Sequence, residues 1–83
     1  MPEITRFYGI TIHMFFKDHQ PPHFHAEYAG DEEVIEIQTG RVLEGKLPNR
    51  AHKMAMEWWE EHRDELLEMW NENDRNRKLP PLD

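Results

Sequence analysis

The strongest constraint on the fold is a stretch from Asn49 to about Asn73 that contains neither glycine nor proline. At about 100° per residue, its apolar side chains fall within an arc of roughly 160°. Pro48 suits the first turn of a helix, where its missing N–H costs nothing. The pattern predicts one long amphipathic helix that needs a second layer to pack against. The predicted stripe consists of Ala51, Met54, Ala55, Trp58, Trp59, His62, Leu66, Met69 and Trp70.

The residues before the helix predict that second layer. Short runs alternate apolar and polar residues with the period of a pleated strand, as in Ile10 to Phe16. Ala29-Gly30-Asp31 and Thr39-Gly40 supply turn residues between runs. The prediction is an α+β fold, a small antiparallel β-meander of four to five strands packed by one long C-terminal α-helix. The predicted strands are Ile4–Tyr8, Ile10–Phe16, His23–Tyr28, Val34–Ile37 and Arg41–Glu44.

Length and composition predict a single small domain. The 83 residues suit one α+β domain over 1–74, followed by a loose C-terminal tail over 75–83. The absence of cysteine excludes disulfides and thiolate metal sites, which disfavours a small secreted scaffold. No apolar run approaches the roughly 18–20 residues of a membrane span, and no leader pattern opens the chain. A soluble, cytoplasmic protein without a membrane association is therefore expected.

Charge is unevenly distributed along the chain. The formal net charge is −7, which disfavours a diffuse attraction to nucleic acid. Acidic residues crowd the predicted helix between Glu57 and Asp74, with like charges four residues apart. This acidic face is either solvated or a docking surface for a basic partner protein. Lys46, Arg50 and Lys53 form a smaller basic group, which leaves room for a local anion site.

The chemistry-bearing residues concentrate between Asp18 and His25. Three of the six histidines, His19, His23 and His25, lie in this segment. On a strand with Phe24 turned into the core, His23 and His25 project from the same opposite face. Pro21 and Pro22 stiffen the loop before them, which lowers the entropy lost in holding His19 near the pair.

Three neutral imidazoles suit a divalent transition metal, with zinc first, and leave one coordination position open. The predicted metal site is therefore His19, His23 and His25. Asp18 and Glu27 are candidates for a further ligand or a hydrogen-bond acceptor, and His13 is a weaker candidate for a fourth ligand. His23-x-His25 is also similar to a cupin metal motif. The acids that follow, Glu32 and Glu33, lie too far along for that motif.

Other interpretations of the same residues remain open, and the sequence leaves open whether the protein is an enzyme. The segment could be a rigid structural hairpin whose imidazoles bond to backbone groups. It could also be a metal-independent site that cleaves RNA phosphodiesters, with His23 and His25 as general acid and base. The side chains that could hold the phosphate are Arg6, Lys17, Lys46 and Arg50.

His62 is predicted to pack and to bond a carbonyl, unless the helix crosses the histidine face, and His52 is predicted to be solvated.

Several strings in the chain resemble one bacterial family, the domain-of-unknown-function family 4160. They are Ile4-x-Arg6-Phe7-x-Gly9-Ile10, Asp18-His19-x-Pro21-Pro22-His23-Phe24-His25, Leu43-x-Gly45-x-Leu47-Pro48, Trp58 and His62-Arg63. The resemblance runs from Pro2 to Trp70. It implies a small bacterial protein encoded beside another small protein in a toxin–antitoxin-like gene pair. The resulting hypothesis is a ligand-binding module that binds metal and acts with a small partner protein. A homo-oligomer is compatible with it, as is a purely structural protein that docks through the acidic helix.

Overall fold

The computed structural model describes residues 3–16 and 19–83 as one antiparallel sheet and one helix. The strands follow chain order across the sheet, from β1 at one edge to β5 at the other. The predicted α+β fold is therefore confirmed. The elements are β1 (Glu3–Phe7), β2 (Ile10–His13), β3 (His23–Tyr28), β4 (Asp31–Glu36), β5 (Val42–Gly45) and α1 (Asn49–Glu72).

Two strands differ from their predicted bounds because of their partners. Strand β2 ends at His13 and not at Phe16, since β1 begins at Glu3, which pairs with His13. Strand β4 begins at Asp31, because Ala29 and Gly30 form a two-residue loop with positive φ angles of 50° and 89°. Such loops match the twist of an antiparallel pair, so pairing starts directly at Tyr28 and Asp31.

One face of the sheet, called the inner face here, packs against α1. Trp58 is fully buried and contacts the rings of Phe7 and Phe24, with centroid distances of 6.1 and 6.0 Å. The predicted apolar stripe therefore lies on the sheet, and it is the main source of hydrophobic stabilisation in so small a chain. The inner face contributes Ile4, Phe7, Ile10, Ile12, Met14, Phe24, Ala26, Ile35 and Ile37 to the core.

The helix has a local break at His62, whose φ and ψ of −121° and 15° are not helical. The His62 ring packs on Trp58 at 4.9 Å, and its Nδ1–H donates to Glu65 Oε1 at 2.6 Å. His62 packs, as predicted, although its partner is a carboxylate and not a carbonyl. Asn73 ends the helix in the left-handed conformation, and its N–H bonds back to the last turn.

A buried carboxylate joins the start of the helix to β4. Glu33 is 3 % exposed and accepts hydrogen bonds from the Leu47 backbone N–H at 3.2 Å and from His52 Nδ1 at 2.8 Å. His52 keeps part of the exposure expected of it, with 39 % of its side chain exposed, but it also pairs with the buried Glu33. His52 lies outside the apolar stripe, but it reaches the sheet through a polar partner that hydrophobic periodicity does not register. We call these contacts the Glu33 clamp.

The C-terminal segment 75–83 has no regular secondary structure, yet part of it packs on the domain. Leu79 is buried, and its N–H donates to Ile4 O at 3.3 Å. The indole N–H of Trp58 donates to Pro80 O at 2.9 Å. More of this segment is attached than the sequence predicts. Among the described residues, no helix combines the length and apolar character needed to cross a membrane.

Candidate metal centre

The face of the sheet opposite α1, called the outer face, carries histidines where the inner face carries apolar side chains. His13 on β2 pairs directly with His25 on β3. Glu27, two residues further along β3, pairs with Glu32 on β4. Because side chains two residues apart share a face, His13, His25 and Glu32 project from the same side of three adjacent strands.

These three side chains converge. Glu32 Oε2 lies 3.5 Å from His13 Nε2 and 3.4 Å from His25 Nδ1. One donor atom from each residue lies within 4.8 Å of the others, so the group could hold a metal ion. The two imidazoles stack, with centroids 5.2 Å apart and planes 11° from parallel. We call this group the His13–His25–Glu32 cluster.

His25 has an unusual environment within the cluster. Its side chain is 12 % exposed, and both ring nitrogens are buried without a hydrogen-bond partner among the described residues. A buried polar atom without a partner costs about 1–3 kcal/mol, so this arrangement needs an explanation other than stability. Burial lowers the pKa of His25, an effect that the carboxylate of Glu32 opposes and that His13 and His23 reinforce. A lowered pKa favours the neutral ring, which is the form that binds metals.

Three neighbouring features hold the cluster in place. The Phe15 ring meets His25 edge-on at 4.6 Å and His13 at 5.2 Å, so it shields both imidazoles from solvent. At Gly45, with φ +81°, an added Cβ would lie 2.0 Å from the backbone oxygen of Glu32. Only glycine allows β5 to approach the backbone of Glu32 this closely. The Glu33 clamp secures the next residue of β4.

His19 and His23 lie beside the cluster rather than in it. The His23 ring is 5.4 Å from His25 and 5.7 Å from His19 by centroid distance. His23 Nδ1–H donates to Pro21 O at 2.7 Å, a bond that orients the ring. Trp70, at the end of α1, packs on it at 5.1 Å. With His25, these histidines line a pocket of about 240 Å³, which is completed by Gln20, Pro21, Val34, Leu43 and Glu44.

The predicted and observed groups share only His25. His23 and His25 do face the same way with Phe24 turned into the core, as predicted. The joint coordination of one ion by His19, His23 and His25 stays a prediction. His13, the weaker candidate, is in the cluster, and Glu32, set aside on its spacing, is too. Glu27 is exposed, and Asp18 lies outside the described residues. The signal for Glu32 was the two-residue loop at Ala29-Gly30, which fixes the strand register.

Two of the three donor spacings in the cluster suit a tetrahedral ion. At metal–ligand distances of about 2.0–2.1 Å, two tetrahedral ligand atoms lie roughly 3.3–3.4 Å apart. The two distances from Glu32 Oε2, 3.4 and 3.5 Å, match that spacing. The near-parallel imidazole planes do not yet direct both lone pairs at one point, so binding requires one ring to rotate. Three protein ligands would leave a fourth position for water or another ligand.

The pocket offers little to a phosphodiester. Glu44 lines it, and no lysine or arginine does so in the part of the chain that the structure describes. Arg6 is paired with Glu3 at 2.8 Å, Arg50 lines a different pocket, and Lys17 lies outside the described residues. Lys46 is exposed and does not line the pocket. With no cation among the described lining residues to stabilise phosphate charge, the closeness of His23 and His25 alone does not favour RNA cleavage.

The helix and the outer face therefore have separate tasks. The helix packs on the Phe24 side of the sheet, away from the cluster, so His62 remains a packing residue and not a ligand.

No curated protein and no solved structure matched the chain. The model of one family, Domain of unknown function (DUF4160), matches residues 9–71, which include the three residues of the cluster and the whole pocket lining. The chain belongs to the DUF4160 family.

Proposed function

We propose that the protein is a metal-binding module that holds a divalent transition-metal ion at His13, His25 and Glu32, with zinc the best match. The observation that carries the proposal is the carboxylate oxygen of Glu32, which lies 3.5 Å from a ring nitrogen of His13 and 3.4 Å from one of His25. Two nitrogens and one oxygen form a donor set that zinc accepts. A metal would also supply the partner that Nδ1 of His25 lacks among the described residues.

The test separates the cluster from the His19–His23–His25 triad by using one residue unique to each. Glu32→Gln removes the anionic ligand of the cluster, and His19→Gln removes a ligand of the triad alone. Glu27→Gln is the matched control, since Glu27 lies on the same face directly across from Glu32. Zinc affinity is measured by calorimetry on metal-stripped protein.

Glu32→Gln is expected to weaken zinc binding at least about tenfold, since it replaces an anionic ligand with a neutral one. His19→Gln and Glu27→Gln are expected to stay within about twofold of the parent. A loss of affinity in His19→Gln with none in Glu32→Gln would move the site to the triad. No zinc binding by the parent protein would end the proposal.

The module works in the cytoplasm with a small protein partner, as one half of a toxin–antitoxin-like pair. Two observations support this part of the proposal. The family resemblance implies such a neighbour, and α1 carries the exposed acidic residues Glu57, Glu60, Glu61, Asp64, Glu68 and Glu72. A basic partner would be attracted to that face, and the attraction would weaken as salt screens it. Co-purification with the product of the adjacent gene, weakened at high salt, is the expected result. Purification of the two proteins apart at low salt would contradict it.

A further inference from the structure

A second pocket, of about 210 Å³, lies at the opposite end of β3 from His23. It is formed where the β1–β2 turn meets the end of β3 and the first turn of α1. Its lining consists of Tyr8, Tyr28, Pro48, Arg50, Ala51 and Met54. Two aromatic rings, a short apolar wall and one guanidinium group make this lining chemically distinct from the histidine pocket. We call it the tyrosine pocket.

The turn does not explain Tyr8, whose ring meets the core residue Phe7 edge-on at 6.5 Å. The β1–β2 turn has positive φ angles at both central residues, 48° at Tyr8 and 82° at Gly9. Turns of this kind favour asparagine, aspartate or glycine at the first position, and a bulky residue there is strained. Tyr8 is also 61 % exposed, and among the described residues it is the exposed large hydrophobic side chain. A strained, exposed aromatic ring at the mouth of a pocket is typical of a binding site.

Gly9 allows the second ring to approach the turn. An added Cβ at Gly9 would lie 3.2 Å from Cε1 of Tyr28, closer than side chains ordinarily pack. The Tyr28 ring therefore lies against the backbone of the turn that carries Tyr8. Aromatic side chains from two elements thus border the same small volume, a lining that suits a planar ring.

The charge in the pocket is positive although the chain is acidic. Arg50 lines the pocket and forms no hydrogen bond or ion pair with another described residue. Lys46 and Lys53 are exposed and lie close to it in sequence. Pro48 caps the helix without a side-chain hydrogen bond, so the helix start adds donor groups at the same end. A guanidinium group recognises phosphate or carboxylate oxygens through two parallel hydrogen bonds.

We propose that the tyrosine pocket binds a small aromatic anion, one planar ring that carries a phosphate or a carboxylate. The ring lies against Tyr8 and Tyr28, and the anionic group pairs with Arg50. The volume suits one ring and its substituent rather than a drug-sized ligand, for which pockets of about 300–1,000 Å³ are usual. The site is independent of the metal proposal, since no residue is common to the two linings.

The test is an NMR titration of the full chain with phenyl phosphate, benzoate, phenol and inorganic phosphate. Phenyl phosphate or benzoate is expected to shift the amide signals of Gly9, Arg50 and Ala51, and to bind at least about tenfold tighter than phenol or inorganic phosphate. Equal affinity for phenyl phosphate and inorganic phosphate would overturn the proposal. Amide shifts caused by phenol and by none of the anions would overturn it too. So would the absence of any shift with both aromatic anions.

Two variants test the parts separately. Arg50→Gln is expected to lower the affinity for phenyl phosphate about tenfold while leaving the affinity for phenol unchanged. Tyr8→Asn is expected to lower the affinity for phenyl phosphate severalfold. It should not lower the melting temperature, because asparagine suits the turn better than tyrosine. Lys53→Gln, which removes a neighbouring charge outside the pocket, should stay within twofold. A Lys53→Gln loss as large as that of Arg50→Gln would mean diffuse attraction and no site.

Discussion

Both faces of the sheet bury side chains, but of different chemistry and for different reasons. On the inner face, Ile12 and Phe24 are fully buried and pack with Trp58 of the helix. On the outer face, His13 is 3 % exposed, and both ring nitrogens of His25 are buried without a hydrogen-bond partner among the described residues. Burial of apolar groups stabilises the fold, whereas burial of imidazoles costs desolvation unless each nitrogen has a partner. The inner face therefore maintains the fold, and the outer face costs stability for a property that the fold itself does not need.

The largest effect is expected on the inner face. Trp58→Ala removes a fully buried ring that contacts Phe7, Phe24 and His62 and that bonds to Pro80 O. Such a deletion costs about 3–5 kcal/mol, which is a large part of the stability of a domain this size. Urea denaturation followed by circular dichroism measures it. A loss below about 1 kcal/mol would show that the helix is not the main support of the sheet.

A change at Gly45 is expected to affect both faces. Gly45→Ala places a Cβ 2.0 Å from Glu32 O and forces a side chain into a positive φ of 81°. Backbone strain alone costs about 1–3 kcal/mol, and relief of the clash must move β4 or β5. We expect a loss of about 2–3 kcal/mol in unfolding free energy, together with weaker zinc binding because Glu32 shifts. Gly30→Ala is the control, since its Cβ would meet nothing within 4 Å despite its similar φ. Equal losses in the two variants would assign the effect to φ and not to the contact with Glu32.

On the outer face, a substitution is expected to raise the unfolding free energy instead of lowering it. His25→Leu replaces a ring whose nitrogens lack partners among the described residues with an apolar side chain of similar size. In metal-free buffer this should raise the unfolding free energy by about 1–2 kcal/mol, because the desolvation cost disappears. With zinc at a hundredfold excess over its dissociation constant the order should reverse, since binding stabilises only the parent protein, by about 2.7 kcal/mol. Destabilisation of the metal-free variant would mean that His25 supports the fold.

The same contrast determines what the sequence could predict. The helix was predicted almost to the residue, from Asn49 to about Asn73 against an observed end at Glu72, because the apolar period and the absence of glycine and proline are local signals. The inner face followed from alternation in the same way. The end of β2 at His13 could not be predicted from alternation, since it depends on where β1 begins.

The cluster was harder to predict because it depends on register. Alternation placed His25 on the outer face, but only strand pairing decides what lies next to it. The residues Ala29-Gly30-Asp31 predict one turn, whereas the observed two-residue loop makes Asp31 a strand residue and brings Glu32 opposite Glu27. A shift of one residue would turn Glu32 to the inner face and Glu33 to the outer face. The position of the carboxylate thus rests on the conformation of two loop residues.

The smallest effect is a pH dependence that separates the faces without disrupting either. Burial lowers the pKa of His25 in the folded protein, while the unfolded chain keeps a value of about 6.5. At pH values between the two pKa values, His25 is protonated in the unfolded chain but neutral in the folded protein. The unfolding free energy therefore keeps its whole contribution from this group above about pH 6.5 and decreases as the pH falls below it. The loss from this group is at most about 1 kcal/mol between pH 6.5 and 5.5. Metal-free parent and His25→Leu proteins are compared by denaturation across this range. The parent should lose more stability than the variant, since leucine has no proton to bind. Parallel profiles would mean that His25 takes up its proton as readily in the folded protein as in water, and the outer face would then impose no cost on the charged ring.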